Sequence, residues 1–162
     1  MPAATAYLAL GSNLGDRRRH LDAAVGALAN LPGAWGLRLS RVRETAPVGP
    51  QDQGRYLNAV AKLRTALSPA ALLKAALDIE TQLGRLPRDE RRRWGPREVD
   101  LDLLLHGDAV SQEEGLTLPH PRLHERRFVL EPLCDLAPDL VVPGFHHSAA
   151  DLLAALPPES EA

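Results

Sequence analysis

Residues 56–84, YLNAVAKLRTALSPAALLKAALDIETQLG, decide the fold class because their hydrophobic pattern changes period along the stretch. Leu57, Ala59, Ala61 and Leu63 lie at every second position, which predicts a β-strand over Tyr56–Thr65 with one buried face. Ser68 and Pro69 then supply a capping hydroxyl and a first-turn proline, so a helix is expected to begin there and to end at Gly84. The apolar stripe of this helix consists of Leu72, Leu73, Ala76, Ile79 and Leu83. A strand that leads into an amphipathic helix is therefore the first unit of the fold.

Similar elements flank this unit on both sides. Toward the start of the chain, we predict a strand at Thr5–Leu10, a helix capped by Asp16 and a second strand at Trp35–Leu39. Toward the end, we predict a strand at Glu98–His106. The order strand–helix–strand–strand–helix–strand is the split βαβ pattern of ferredoxin-like α+β folds. We therefore expect a βαββαβ core in which two helices pack on one face of a mainly antiparallel sheet.

The remaining segments have weaker patterns. After the core, we expect an additional C-terminal hairpin and helix region, with a short strand near Leu116–Leu118, helical turns around Glu125–Leu136 and a last helix after Ser148. The segment Thr45–Gly54 is rich in proline and glycine, which predicts a loop. We expect residues 1–162 to form one domain with a frayed tail at 157–162.

The composition excludes several classes of protein. Lys and Arg together number 19 and Asp and Glu 21, and this net charge of −2 argues against a globally basic nucleic-acid binder. The single cysteine, Cys134, excludes an intrachain disulfide or a cysteine-based zinc site and indicates a reducing compartment. No apolar run approaches the roughly 18 residues of a membrane span, and residues 1–10 lack the basic region of a signal peptide. We expect a cytoplasmic monomer that binds neither membranes nor nucleic acids.

Asp100 and Asp102 are the first candidates for chemistry. Residues two apart on a strand point to the same face, so these carboxylates lie side by side while Val99, Leu101, Leu103 and Leu105 face the other way. Neighbouring carboxylates repel each other, and a cation between them removes that cost. Mg²⁺ prefers one or two carboxylates together with substrate phosphates. The other interpretation is a solvated strand face with arginine ion pairs, and this motif alone does not decide between the two.

The adjoining residues 85–97, RLPRDERRRWGPR, contain six arginines against Asp89 and Glu90, a local charge of +4. Planar guanidinium groups fit phosphate oxygens, and Trp94 offers a stacking face. A run of this kind is usually a solvated loop. Beside a magnesium-binding strand, it favours a polyphosphate ligand instead.

Two further segments are weaker signals on their own. His120 lies between Pro119 and Pro121, so its ring is held in a rigid extended segment, in a structural or a functional role. The other histidines have no metal-ligand spacing, and zinc is not expected. Residues 11–16, GSNLGD, resemble a phosphate-cradling turn but lack the lysine and the third glycine of the known nucleotide motifs.

Taken together, these segments resemble the 6-hydroxymethyl-7,8-dihydropterin pyrophosphokinase family of folate biosynthesis. The resemblance extends over nearly the whole chain, and its most specific part is RWGPR at 93–97 followed by Asp100-Leu101-Asp102. The other matching segments are GSN at 11–13, TAPVGPQDQ at 45–53, YLN at 56–58, Glu80, Gly84-Arg85, PHP at 119–121 and RRF at 126–128.

The resemblance implies transfer of a pyrophosphoryl group from ATP to the hydroxymethyl oxygen of the reduced pterin, with release of AMP. It implies that Asp100 and Asp102 hold two Mg²⁺ ions that bridge the triphosphate. By the same resemblance, Arg88 and Arg97 are catalytic, and Glu80 lies near the nucleoside. The ATP-binding residues that it implies are Glu80, Arg85, Arg88, Trp94, Arg97, Leu103, Thr117, His120 and Arg126.

For the pterin, the resemblance implies a slot in which Tyr56 and Phe128 sandwich the ring and Asn58 binds its polar edge. The pterin-binding residues that it implies are Thr45, Pro47, Val48, Tyr56, Asn58, Trp94 and Phe128. Without the resemblance, core packing is the simpler interpretation of Tyr56 and Phe128.

The competing hypothesis is a nucleic-acid or phosphate-binding α+β module that uses the arginine loop without catalysis. Recognition of RNA on a sheet needs aromatic side chains on exposed strand faces. The strands here carry Asn58, Lys62, Asp100 and Asp102 instead, and the aspartates repel phosphate unless a metal intervenes. The sequence therefore favours the enzyme.

Overall fold

The computed structural model describes residues 3–13, 15–45, 55–83 and 99–158. Within them, a five-stranded sheet consists of β1 (Ala4–Ser12), β2 (Ala34–Leu39), β3 (Arg43–Thr45), β4 (Tyr56–Thr65) and β5 (Asp100–His106). The strands follow the order β2–β4–β1–β5, and each pairing is antiparallel. β3 pairs with the first residues of β4, and β2 pairs with the later ones. The predicted mainly antiparallel sheet is confirmed.

Two helices cover one face of this sheet. These are α1 (Arg17–Ala29) and α2 (Pro69–Gln82). The predicted capping side chains, Asp16 and Ser68, each accept a hydrogen bond from the backbone N–H three residues further on. The first core lies between these helices and the sheet and includes Leu8, Leu10, Leu21, Leu28, Leu63, Leu72, Ile79 and Leu101.

The C-terminal part contributes to both faces: Leu116 and Leu118 of its hairpin pack in the first core, and its helices pack on the opposite face of the sheet. Its elements are the hairpin β6 (Ser111–Glu113) and β7 (Leu116–Leu118), a 3₁₀ turn (Leu123–Glu125), α3 (Arg127–Leu136) and α4 (Ala149–Ala154). The second core includes Tyr7, Val60, Leu104, Leu105, Leu123, Val129, Leu130 and Leu133. The predicted C-terminal hairpin and helix region is thus present, and residues 159–162 of the predicted tail lie outside the described residues. None of the described helices has the length and apolar character needed to cross a membrane.

Two local predictions were wrong. The loop predicted for Thr45–Gly54 is wrong at Thr45, which is the last residue of β3 and pairs with Tyr56. Residues 46–54 lie outside the described residues. Leu105 was expected on the same face as Leu103, yet it packs in the second core. Leu8 pairs with Leu103 and Tyr7 pairs with Leu105, so Leu104 is an extra residue that forms a bulge and reverses the alternation after it.

An ion pair fastens β3 to α3. Arg43 donates from Nη1 to Asp135 Oδ2 at 2.7 Å and from Nη2 to Oδ1 at 2.9 Å. The backbone N–H of Arg41 donates to the same carboxylate at 3.2 Å. The hydrogen bond from Arg43 holds the pKa of Asp135 below its usual value. The pair therefore adds a charge-assisted contact to α3 beside the backbone pairing of β3 with β4.

We expect Asp135→Asn to lower the free energy of unfolding by about 1–2 kcal/mol at neutral pH, since a two-pronged charge-assisted contact is lost. The pKa of Asp135 is depressed in the folded protein, so the wild-type advantage is present above the ordinary pKa of about 4 and disappears as the pH falls through the folded value. Urea unfolding of both proteins between pH 3 and pH 7 measures this difference.

Asp22→Asn is the matched control, because the Arg18–Asp22 pair is exposed, with side chains 62% and 60% accessible. It should change stability by less than about 0.5 kcal/mol. Equal effects of the two substitutions would contradict a specific contribution of the Arg43–Asp135 pair.

Candidate active site

Gly11 lies at the centre of the candidate site, near the end of the middle strand β1. It is directly opposite Asn58 of β4 on one side and Asp100 of β5 on the other. Residues directly opposite each other in an antiparallel pair share a face of the sheet, so the three form a row. Ala9 is opposite Asp102, which places both aspartates on that face, about 7 Å apart at Cα. The sheet register therefore brings together residues that are far apart in the chain.

The residues implied for the pterin that the structure describes meet at one end of this row. Thr45 is opposite Tyr56, and Asn58 Nδ2 donates a hydrogen bond to Thr45 Oγ1. Asn58 is buried and Tyr56 is half-buried. A β-carbon at Gly11 would lie 3.0 Å from Asn58 Oδ1 and 3.4 Å from Tyr56 Cδ1. The missing side chain of Gly11 thus leaves room for both residues.

Phe128 and Arg126 lie at the N-terminal end of α3. Arg126 is the N-cap residue, and its guanidinium carbon is 5.4 Å from the centre of the Phe128 ring, within the range of a cation–π contact. The Phe128 ring packs against the second core. The charge of Arg126 also acts on His120, as does that of Asp100. Phe128, Arg126, His120 and Asp100 are therefore close to one another. The face of the sheet that carries Asp100 and Asp102 is called the aspartate face below.

His120 is held by its own backbone and by a neighbour. Its N–H donates to the Leu104 carbonyl at 2.9 Å, which fixes the segment beside β5. Its ring Nδ1 accepts from the backbone N–H of Arg122 at 3.2 Å. Burial lowers the pKa of His120 to about 4, with the positive charges of Arg126 and Arg122 acting in the same direction and Asp100 against it. The ring is therefore neutral near pH 7 and carries its proton on Nε2, as a hydrogen-bond donor.

We expect NMR of the free protein to show His120 as the neutral Nε2–H tautomer down to about pH 5, well below the ordinary midpoint of about 6.5. Because the folded pKa is depressed, the contribution of His120 to stability should be full above pH 6.5 and should decrease as the pH falls toward 4. The ring ¹⁵N shifts measure both tautomer and midpoint. A midpoint near 6.5 would contradict the buried environment described here.

A cavity of about 220 Å³ lies beside β5, between α2 and the β6–β7 hairpin. Leu73 and Leu77 of α2 form an apolar wall of the cavity. Four of the residues that the family resemblance implies for binding ATP or metal also line it. These four are Asp102, Leu103, Thr117 and His120. Apolar walls at one side and polar groups beside the aspartates suit a ligand with a flat apolar part and a charged part.

Glu80 lies in the last turn of α2, with only 4% of its surface exposed. Its Oε2 accepts a hydrogen bond of 2.7 Å from the backbone N–H of Leu101, the residue between the two aspartates. The resemblance implies a contact with the nucleoside. In the structure, its carboxylate contacts the backbone of β5.

The donor set of the two aspartates fits Mg²⁺. Both residues are half-buried, both supply oxygen donors, and both face the same side of the sheet. The described residues contain no group of three or more His, Cys, Asp or Glu able to hold a metal ion. An ion that takes two carboxylates and completes its shell with water and phosphate needs no third protein ligand.

Several predicted residues lie outside the described part of the chain. These are Pro47, Val48, Arg85, Arg88, Trp94 and Arg97. The resemblance to a phosphate-cradling turn at residues 11–16 is not borne out for Gly11 and Ser12, which belong to strand β1. Sequence reasoning missed the position of Gly11 between Asn58 and Asp100, because no local pattern encodes the pairing of distant strands.

Comparisons with known proteins bear on the family and the fold of this chain. The profile of the family described as 7,8-dihydro-6-hydroxymethylpterin-pyrophosphokinase matches residues 7–138. The 2-amino-4-hydroxy-6-hydroxymethyldihydropteridine pyrophosphokinase of Haemophilus influenzae is 47% identical over 139 residues, 86% of this chain and 85% of that protein. The Pseudomonas aeruginosa protein of the same name is 46% identical over 151 residues, 93% of this chain and 91% of that protein.

Among solved structures, a Plasmodium falciparum HPPK-DHPS chain crystallised with pterin and p-hydroxybenzoate superposes with a TM-score of 0.73 at 14% identity. The match covers 95% of this chain and 42% of that longer one, so it bears on the fold alone. The fold class and the family expected from the sequence are both confirmed. On the profile match and the two close relatives, this chain belongs to the 7,8-dihydro-6-hydroxymethylpterin-pyrophosphokinase family.

Proposed function

We propose that this chain transfers the pyrophosphoryl group of ATP to the hydroxymethyl oxygen of 6-hydroxymethyl-7,8-dihydropterin, which yields the pterin diphosphate and AMP. The observation that carries this proposal is the row Asn58–Gly11–Asp100 across three neighbouring strands. In this row, the polar groups suited to a pterin edge lie on β4 and the carboxylate pair lies on β5, with β1 between them. The cavity lies beside β5. Adjacent sites for acceptor and donor are what a direct transfer requires.

At the pterin end, Asn58 offers an amide donor and acceptor, and Thr45 fixes the amide through its hydroxyl. Buried polar groups that match a ligand edge reject ligands without that edge, because their hydrogen bonds would remain unmade. Tyr56 and Phe128 supply the aromatic surfaces for the ring. In this proposal, these four residues bind and orient the acceptor.

At the phosphate end, Asp100 and Asp102 hold Mg²⁺, two ions by the family resemblance. The bound metal would neutralise charge on the triphosphate and favour attack at phosphorus. The neutral His120 donates a hydrogen bond from Nε2 to a phosphate oxygen, and Arg126 supplies positive charge beside it. Arg88 and Arg97 are proposed to stabilise the charge of the transferred group, on the resemblance alone.

The cavity beside β5 is the proposed nucleoside site. Leu103 and Thr117 line it together with the apolar side chains of α2, and Asp102 and His120 lie at its polar side. A base bound there has its phosphates directed toward the aspartates. Arg85 and Trp94 complete the proposed ATP contacts by resemblance. A noncatalytic phosphate-binding module is not favoured, because the family consists of enzymes by name.

The direct test is an assay of the purified chain with ATP, Mg²⁺ and 6-hydroxymethyl-7,8-dihydropterin. Attack at the β-phosphorus predicts AMP and a pterin diphosphate in equal amounts, with no turnover when EDTA replaces Mg²⁺. Chromatography and mass spectrometry identify both products. Formation of ADP and a pterin monophosphate would refute pyrophosphoryl transfer, and undiminished turnover in EDTA would refute the metal requirement.

A further inference from the structure

The strand that carries the two aspartates is held by a strand neighbour on one side only. Among the described strands, β5 pairs with β1 and with no other strand of the central sheet. Asp100 is the first residue of β5, so the aspartate segment is also a strand end. Strand ends and sheet edges are where backbone pairing is most easily lost. Two like charges side by side add a repulsion that favours such a loss.

Glu80 provides the support that a second neighbouring strand would otherwise give. The Leu101 N–H donates to Glu80 Oε2 at 2.7 Å, a length typical of a charge-assisted hydrogen bond. Leu101 lies between the aspartates, and its amide plane is shared with Asp100. Holding the direction of this N–H restricts ψ of Asp100 and φ of Leu101, and so limits how far the strand that carries the two carboxylates can turn.

The location of Glu80 is unfavourable for a carboxylate on two counts. It is 4% exposed, so its carboxyl group is removed from water. It also lies in the last turn of α2, where the partial negative charge of the helix end opposes a carboxylate. For the stability of the helix alone, a neutral or basic side chain would be more favourable at this position. Its neighbours Ala76 and Ile79 are buried in the first core, so the helix offers a rigid base.

We propose that Glu80 is a positioning residue that orients the Asp100–Asp102 pair for metal and phosphate through its hydrogen bond to the Leu101 amide. This inference rests on the proposed function of the two aspartates. It differs from the contact with the nucleoside that the family resemblance implies. A nucleoside contact would make Glu80 a determinant of ATP affinity, whereas a positioning role makes it a determinant of metal affinity and turnover.

The test compares Glu80→Ala, which removes the acceptor, with Glu80→Gln, whose side-chain oxygen can still accept from Leu101. Asp78→Asn is the matched control, since this acidic residue of the same helix is exposed and pairs with Lys74. The first readout is amide hydrogen exchange at Leu101. The second is Mn²⁺ binding by electron paramagnetic resonance in the presence of α,β-methylene-ATP. The third is kcat and KM for ATP.

For Glu80→Ala, we expect Leu101 to exchange at least about tenfold faster and Mn²⁺ affinity to fall by about tenfold or more, as is usual when the residue that supports a metal ligand is lost. We expect kcat to fall more than KM for ATP rises. Glu80→Gln should keep Leu101 protected and Mn²⁺ affinity within about threefold of wild type, and Asp78→Asn should change nothing. If Glu80→Ala does not fold, the prediction for Glu80→Gln still stands.

Unchanged Mn²⁺ affinity in a folded Glu80→Ala protein would overturn the inference. A Glu80→Gln protein with a protected Leu101 but a large loss of ATP affinity would also overturn it, in favour of a nucleoside contact. Hydrogen exchange and Mn²⁺ binding need no turnover, so they test the inference separately from the proposed function. Failure of the wild-type chain to release AMP would refute the function itself.

Discussion

Replacing either Asp100 or Asp102 by alanine should lower the rate of AMP release by about 10³-fold or more while the protein stays folded. Each carboxylate is proposed to hold metal at the point where charge develops on the triphosphate, and stabilisation of that kind accounts for several kcal/mol of a barrier. Both side chains are half-buried, and neither belongs to one of the two hydrophobic cores. Removing one of two like charges should leave the melting temperature unchanged or slightly higher.

Asp108→Asn is a suitable control, because Asp108 is exposed in the turn directly after β5. It changes the charge of the same region without touching the aspartate face, so near-normal AMP release is expected. Scanning calorimetry verifies that each variant is folded, and Mn²⁺ binding with α,β-methylene-ATP separates loss of metal from loss of nucleotide. Near-normal AMP release by either alanine variant would show that the assignment of the metal ligands is wrong.

Much of the fold could be predicted because its signals are local. The alternation over Tyr56–Thr65 predicted β4 with its observed bounds, and the capping side chains Asp16 and Ser68 predicted the starts of α1 and α2. Period and capping depend on residues within a few positions of one another, so one sequence contains them. The two features that were not predicted, β3 and the bulge at Leu104, have no such local signal. β3 has three polar residues that become a strand only by pairing with β4, and the bulge at Leu104 exists only against β1.

In the candidate site too, some features could be predicted from local spacing and others could not. The spacing of Asp100 and Asp102 predicted that both point to one face, and the structure agrees. The prediction that Tyr56, Asn58 and Phe128 bind a pterin came from the family resemblance, because half-buried aromatic side chains are more often part of a core. The hydrogen bond from Leu101 to Glu80 joins residues 21 positions apart. Contacts of this kind follow from how helices and strands pack, which no single motif specifies.

Gly11→Ala is the second substitution for which we expect a large effect. The absence of a side chain at Gly11 leaves space for Asn58 and Tyr56. A methyl group there would lie 3.0 Å from Asn58 Oδ1, which is closer than nine in ten real contacts of a β-carbon, and 3.4 Å from the Tyr56 ring. Thr45 holds the Asn58 amide from the other side, so the amide can move only by giving up that hydrogen bond. We expect Gly11→Ala to lower kcat/KM for the pterin by about 10²-fold, the cost of misplacing a ligand by about 1 Å.

The loss should be confined to the pterin, because the nearest atoms to the added methyl group belong to Tyr56, Leu57 and Asn58 and not to Asp100. Calorimetric titration should give nearly wild-type affinity for α,β-methylene-ATP with Mg²⁺, and much weaker binding of the pterin. Gly26→Ala is the control. Apart from the neighbouring residues and the backbone of its own helix, no described atom lies within 4 Å of the added carbon, and a helical position should gain about 0.5–1 kcal/mol of stability with activity unchanged. Unaltered pterin affinity in Gly11→Ala would show that the pterin does not depend on the Asn58 amide as positioned here, and the acceptor site would have to be sought elsewhere on the aspartate face.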